Sequence, residues 1–151
     1  MRAVGLDLGE RRIGVAVSDR DGRLAVPHGT IERSGDPVRD RAAIAEAVQE
    51  LGAETVVVGL PLSLDGSPGP AALAAQAEAA ALADVLGIAV ELVDERLTTV
   101  TANRSLAGAG VGSRGRRRVV DQVAAAVLLQ SWLDGQRGGT RVPSEPRMEH
   151  P

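Results

Sequence analysis

Val4-Gly5-Leu6-Asp7-Leu8-Gly9 sets a carboxylate inside an otherwise apolar run. Such a run early in a chain reads as a strand buried on both faces, the habit of central strands in an α/β sheet. A charge there costs several kcal/mol or more unless something neutralises it. An isolated Asp-x-Gly reads more simply as a turn opening before Gly9. Two further carboxylates in equally awkward places downstream tip the balance toward a functional charge. Asp7 shares its strand face with Ala3 and Gly5, small neighbours that leave room for a ligand to approach the backbone.

Working outward, Arg2–Leu8, Ile13–Ser18 and Leu24–Ile31 read as three strands, with turns at 9–12 and at Asp21-Gly22, and form an antiparallel meander. Asp36 and Pro37 open a helix whose Ile44, Val48 and Leu51 share one face and which Gly52 ends. Thr55–Gly59 is a continuous apolar run typical of a central parallel strand. A Pro/Gly-rich loop, 61–69, leads into an Ala-rich helix over Pro70–Leu86 that stops at Gly87, and Ile88–Val93 is the last strand. Thr98 or Thr99 caps a helix reaching Ala107. Residues 108–117 form a Gly/Arg-rich loop, and Arg118–Leu133 is the final helix. The order β-β-β-α-β-α-β-α-α predicts an α/β fold: a five-stranded mixed sheet, antiparallel meander plus parallel strands, with helices on both faces. The expected organisation is a single domain over residues 1–134 and a disordered polar tail over 135–151.

Composition narrows the chemistry. The chain lacks Cys, and His28 and His150 are far apart in sequence, so a zinc site of His and Cys is excluded and any metal is held by oxygen, which favours Mg²⁺ or Mn²⁺. No leader and no membrane-spanning apolar run is visible, which predicts a cytoplasmic protein without membrane contact. A net charge of −3 argues against a general nucleic-acid coat, yet residues 96–120 carry six Arg and no acid. With no Phe, no Tyr and one Trp, stacking on single-stranded bases is an unsuitable mode of recognition, and contact with phosphate backbone and shape is expected instead.

The second acidic candidate is the pair Asp94-Glu95, where the last strand ends, the edge at which open α/β sheets place their sites. The pleat puts Glu95 with Val93 and Asp94 with Leu92, and which of them faces the site stays open at this point. The third is Asp121, whose helical neighbours Ala124, Ala125 and Leu128 mark it as sitting on an apolar face. A carboxylate favoured by the helix dipole is the plainer explanation, but that predicts Asp121 facing water. Carboxylates converging from separate elements repel unless cations bind. A pair of Mg²⁺ ions about 3.5–4 Å apart would relieve the repulsion and activate water for in-line attack on a phosphodiester. The loop over 61–69, before a helix N-terminus, could hold another phosphate, although Asp65-Gly66 reads first as a turn.

Four segments together resemble the YqgF, or RuvX-like, family of nucleases: Gly5-Leu6-Asp7-Leu8-Gly9 with 12–19, Val58-Gly59-Leu60-Pro61 with 65–67, 94–99, and Val120-Asp121 with Ala124-Ala125. The resemblance spans about residues 2–134 and implies an RNase H-like fold. It implies Asp7, Glu95 and Asp121 as catalytic, metal-holding residues, with Arg12, Arg96, Arg114, Arg116, Arg117 and Arg118 available to the substrate. The family's activities are maturation of the 5′ end of pre-16S ribosomal RNA or, alternatively, resolution of Holliday junctions. The implied partners are structured RNA in ribosomal precursor particles, or branched DNA, and the implied state is monomer or homodimer. Where the family often alternates Arg and Lys, this chain has Gly115 between Arg114 and Arg116. Two competing classes are a non-catalytic nucleic-acid-binding assembly factor and a sugar-kinase or actin-like ATPase, the latter disfavoured because it needs a second similar domain.

Overall fold

The computed structural model describes residues 1–63, 65–97 and 114–137, and in them each expected strand forms. The elements are β1 (Ala3–Leu8), β2 (Arg12–Ser18), β3 (Ala25–Glu32), α1 (Pro37–Leu51), β4 (Thr55–Leu60), α2 (Pro70–Leu86), β5 (Ala89–Asp94), a 3₁₀ turn over Glu95–Leu97, and α3 (Arg114–Arg137). The sheet order is β3-β2-β1-β4-β5. β1 pairs antiparallel with β2 and parallel with β4, and β4 pairs parallel with β5. β1 is therefore the middle strand, which explains its unbroken burial from Ala3 to Asp7.

The pleat sorts side chains by size. Val4, Leu6, Ile13, Val15, Val56 and Val58 point to one face and pack on Ile44 and Val48 of α1 and Leu82 of α2. Ala3, Ala16 and Val57 point to the other, against Ala125, Leu129 and Leu133 of α3. Small residues beneath α3 let it lie almost on the backbone: a Cβ on Gly5 would come 2.8 Å from Leu129 Cβ and 2.9 Å from the Ala125 carbonyl. The room beside Asp7 expected to admit a ligand is thus filled by a helix.

α1 starts where Asp36 accepts a hydrogen bond from Val38 N and ends at Gly52 in the left-handed region. Two expectations shift at α3. Its first turn begins at Arg114, so the basic segment 114–117 is helical rather than loop. Arg is among the better helix formers, and one Gly costs only about 1 kcal/mol against Ala. The helix also continues to Arg137, three residues into the expected tail. The helix expected over 98–107, the loop at 108–113 and residues 138–151 lie outside the described residues. Among those described, no helix is long and apolar enough to cross a membrane.

Asp40, buried in the first turn of α1, closes the β3–α1 connection by accepting from Ser34 N at 2.9 Å and Ser34 Oγ at 2.8 Å. Those bonds to the charged form, the backbone one first, hold its carboxyl below the usual value of 3.8. A depressed folded-state value means the stabilisation is fully present above 3.8 and disappears as pH falls through the lower folded value. Urea midpoints of wild type should therefore drop on acidification below that range, and Asp40→Asn should start lower at neutral pH and show a shallower acid dependence.

Candidate active site

Asp7 stands opposite Gly14 of β2 and, one step beyond the Leu6–Val58 pair, beside Gly59 of β4. It is 2% exposed. The two flanking glycines decide what lies next to it. A Cβ on Gly59 would sit 2.6 Å from Glu95 Oε2, so the Glu95 carboxylate rests over that glycine, on the strand next to that of Asp7. A Cβ on Gly14 would come 2.1 Å from the Asp121 carbonyl and 3.3 Å from Asp121 Cβ, so α3 crosses the sheet there. All three carboxylates lie on the α3 side, at the carboxyl ends of β1 and β4. After those strands the chain turns to opposite sides, the switch point at which open α/β sheets bind ligands.

The structure separates Asp94 from Glu95. Val93 packs with Leu128 and Ala124 under α3, and Glu95, two residues on, follows it to that side and is buried. Asp94 turns away and takes Arg96: Nε donates to both carboxylate oxygens at 3.1 Å, and a terminal nitrogen donates to Oδ2 at 2.7 Å. That pairing, chiefly the Arg96 side-chain bonds, holds the Asp94 carboxyl below the ordinary range and raises Arg96. Arg96 also lies against the turn at Gly66, whose φ is +88°. There Ser67 donates to Asp65 through its backbone and hydroxyl, so Asp65-Gly66 is a turn.

Asp121 departs from the expected first-turn position. It is the eighth residue of α3, beyond the reach of the N-terminal dipole, and the local reason for an acid there is Arg12. Arg12 Nε donates to Asp121 Oδ2 at 3.0 Å, the side chains being 12% and 18% exposed. Among the described residues no three His, Asp or Glu side chains stand together in a way that could hold a metal ion. Glu95 lies over Gly59, the glycine beside Asp7 in the sheet, while Asp121 is turned onto Arg12. The donors available for a cation are all carboxylate oxygens, the set that suits Mg²⁺ or Mn²⁺. The Asp121 backbone lies over Gly14, the strand partner of Asp7.

A cleft of about 480 Å³ opens beside Glu95 and Gly59 and runs to Gly9, Glu10 and Arg33. Arg33 carries no spacing signal in the sequence, because it follows an edge strand. It reaches the site by donating from Nε to the Gly9 carbonyl at 2.6 Å. Arg118 instead leans to β3, 3.3 Å from Glu32 in an exposed pair of small energetic weight. Arg114, Arg116 and Arg117 fall in the first turn of α3, where only the backbone is described; positions 114, 117 and 118 precede 121 at helical spacings of seven, four and three.

The fold and the chain have clear relatives. T. thermophilus RuvC, in its complex with a Holliday junction substrate, matches with a TM-score of 0.57 at 18% identity over 92% of this chain and 97% of that one, a likeness that shows the RNase H-like fold. A protein of Mycobacterium sp. (strain KMS) named "Putative pre-16S rRNA nuclease" is 48% identical over 145 residues, 95% of this chain and 86% of that protein. One of the same name from Myxococcus xanthus is 50% identical over 91% of this chain and 90% of that protein. A family model described as "RuvX: Holliday junction resolvase" matches residues 1–135. With that match covering the whole sheet and all three carboxylates, the chain belongs to the RuvX family.

Proposed function

We propose that the protein is a divalent-metal-dependent nuclease that hydrolyses phosphodiester bonds and processes the 5′ end of pre-16S rRNA during ribosome biogenesis. The observation that carries this reading is Asp7, a carboxylate buried in the central strand at the switch point, with the Glu95 carboxylate over the adjacent glycine. The rRNA assignment draws on the names of relatives near half identity over most of the chain.

In this reading Asp7, Glu95 and Asp121 are the metal-holding catalytic residues, and the bound Mg²⁺ or Mn²⁺ supplies charge stabilisation and a hydrolytic nucleophile at neutral pH. Asp7 and Glu95 provide rigid, partly dehydrated acceptors, one fixed by the sheet and the other laid on Gly59. Glu95 also orients the attacking water. The Arg residues at 114, 116, 117 and 118 draw the phosphate backbone along the first turns of α3, and Arg96, clamped by Asp94, offers its guanidinium at the rim. Arg33 lines the cleft that continues from Glu95 and gives a further phosphate contact. The substrate is structured RNA in a ribosomal precursor particle in the cytoplasm. A monomer suffices for trimming, whereas a junction resolvase needs a homodimer for two symmetric cuts.

The test presents the full chain, with MgCl2 or MnCl2, with a pre-16S transcript bearing its 5′ leader and with a four-way DNA junction. Cleavage within the leader that needs metal is the expected result. Preferential cutting of the junction would move the assignment to Holliday junction resolution. Binding of RNA with no cleavage under any metal would leave a non-catalytic assembly factor.

A further inference from the structure

Arg12 opens β2 immediately after the β1–β2 turn, in a sheet position paired with Glu32 of β3. Its guanidinium nevertheless goes to Asp121, 109 residues away in sequence, at 3.0 Å. Both partners are largely withdrawn from water, where a charge pair is stronger than on the surface and a lone charge is costly. The α3 backbone cannot give way at this point. The Asp121 carbonyl lies where a Cβ of Gly14 would be, and the next turn is seated on Gly5 through Ala125 and Leu129. Only the Asp121 side chain is free to choose between neighbours. One choice is Arg12; the other is the side of Asp7, whose strand partner is the same Gly14.

We infer that Arg12 competes with a divalent cation for Asp121. Its guanidinium holds that carboxylate in the metal-free protein, and releases it when Asp121 joins Asp7 and Glu95 around the metal. This rests on the metal-dependent reading above. It explains why the three carboxylates share one sheet face while, among the described residues, no three acids are grouped to hold an ion. A groove of about 260 Å³ lined by Gly9, Glu10, Arg11, Arg12 and Asp121 gives the released guanidinium a solvated position beside another acid. The pair thus compensates the Asp121 charge in the metal-free fold, and sets a threshold that a cation must exceed before that carboxylate joins the site. Arg12 is on this account a positioning residue, and its effect is read in metal binding.

Calorimetric titration of the full chain with MnCl2 tests this, using wild type, Arg12→Gln, Arg12→Lys and Arg11→Gln. Arg12→Gln is expected to bind Mn²⁺ about tenfold more tightly, while its metal-free form unfolds at lower urea. Arg12→Lys keeps the charge but not the guanidinium fork, folds without the buried unpaired acid, and should fall between the two. Arg11→Gln removes the same charge from the same groove without touching Asp121, and should change affinity little. Equal or weaker binding by Arg12→Gln, or an equal gain in Arg11→Gln, overturns the competition while leaving the metal-dependent reading intact. Absence of Mn²⁺ binding in wild type and in every variant overturns both. Binding in Arg12→Gln with none in wild type supports the competition in its strongest form.

Discussion

Asp7→Asn should leave a folded protein that no longer cleaves. The side chain is nearly isosteric, so the packing of β1 between β2 and β4 is kept. What disappears is a negative charge that is 2% exposed and one strand away from the Glu95 carboxylate. Thermal melting of the metal-free variant should therefore show a cooperative unfolding transition, which separates a loss of chemistry from a loss of fold. In the proposed mechanism, activity depends on that same charge. The expected fall in metal-dependent cleavage is about 10³-fold or more, the scale on which losing one transition-state-stabilising group acts. The rise in melting temperature on adding MnCl2 should shrink with it. Cleavage at the wild-type rate by a folded Asp7→Asn protein would remove this carboxylate from the mechanism and, with it, the proposed centre.

The strength of that prediction comes from how plainly Asp7 stands out in the sequence. Leu6 and Leu8 on either side announce a buried strand, and an acid between them has no cheap structural explanation. Asp121 is legible for a related reason, since Ala124, Ala125 and Leu128 place it on the helix face that packs. The choice between Asp94 and Glu95 is not legible, because both stand at a strand end where either pleat direction could face the site. In the fold, half-buried Val93 packs against Ala124 and Leu128 of α3 and carries Glu95 to that side. The length of α3 is obscured by composition: Gly115 among arginines resembles a loop, and helix propensity with the sheet contacts further along outweighs it. Least legible is the Arg12–Asp121 pair. Local spacing carries no information about two residues brought together by a helix folding back over the first hairpin, so Arg12 is read from sequence as one more substrate-facing arginine.

The glycines beside Asp7 should separate folding from chemistry. Gly14→Ala places a methyl where the Asp121 carbonyl already lies, 2.1 Å away, and the obstacle is helix backbone that no rotamer change can move. α3 must lift from the sheet, loosening Leu129 and Leu133 from the core beneath it. Overpacking of this kind costs about 2–3 kcal/mol, which for a domain of this size lowers the melting temperature by roughly 10 °C. Gly29→Ala, on the same meander with nothing within 4 Å of the new methyl, is the matched control and should melt with wild type. Gly59→Ala meets a different neighbour, the Glu95 carboxylate oxygen at 2.6 Å with Leu128 Cδ1 at 2.9 Å, both ends of side chains that can turn aside. Its stability should fall by less than that of Gly14→Ala, while displacement of Glu95 reduces cleavage by on the order of 10²-fold. Thermal melts and cleavage rates of the three variants together check this. Normal cleavage by a folded Gly59→Ala protein would show that the position of Glu95 over that glycine is unimportant, whereas unaltered melting of Gly14→Ala would show that α3 does not bear on the sheet at Asp121.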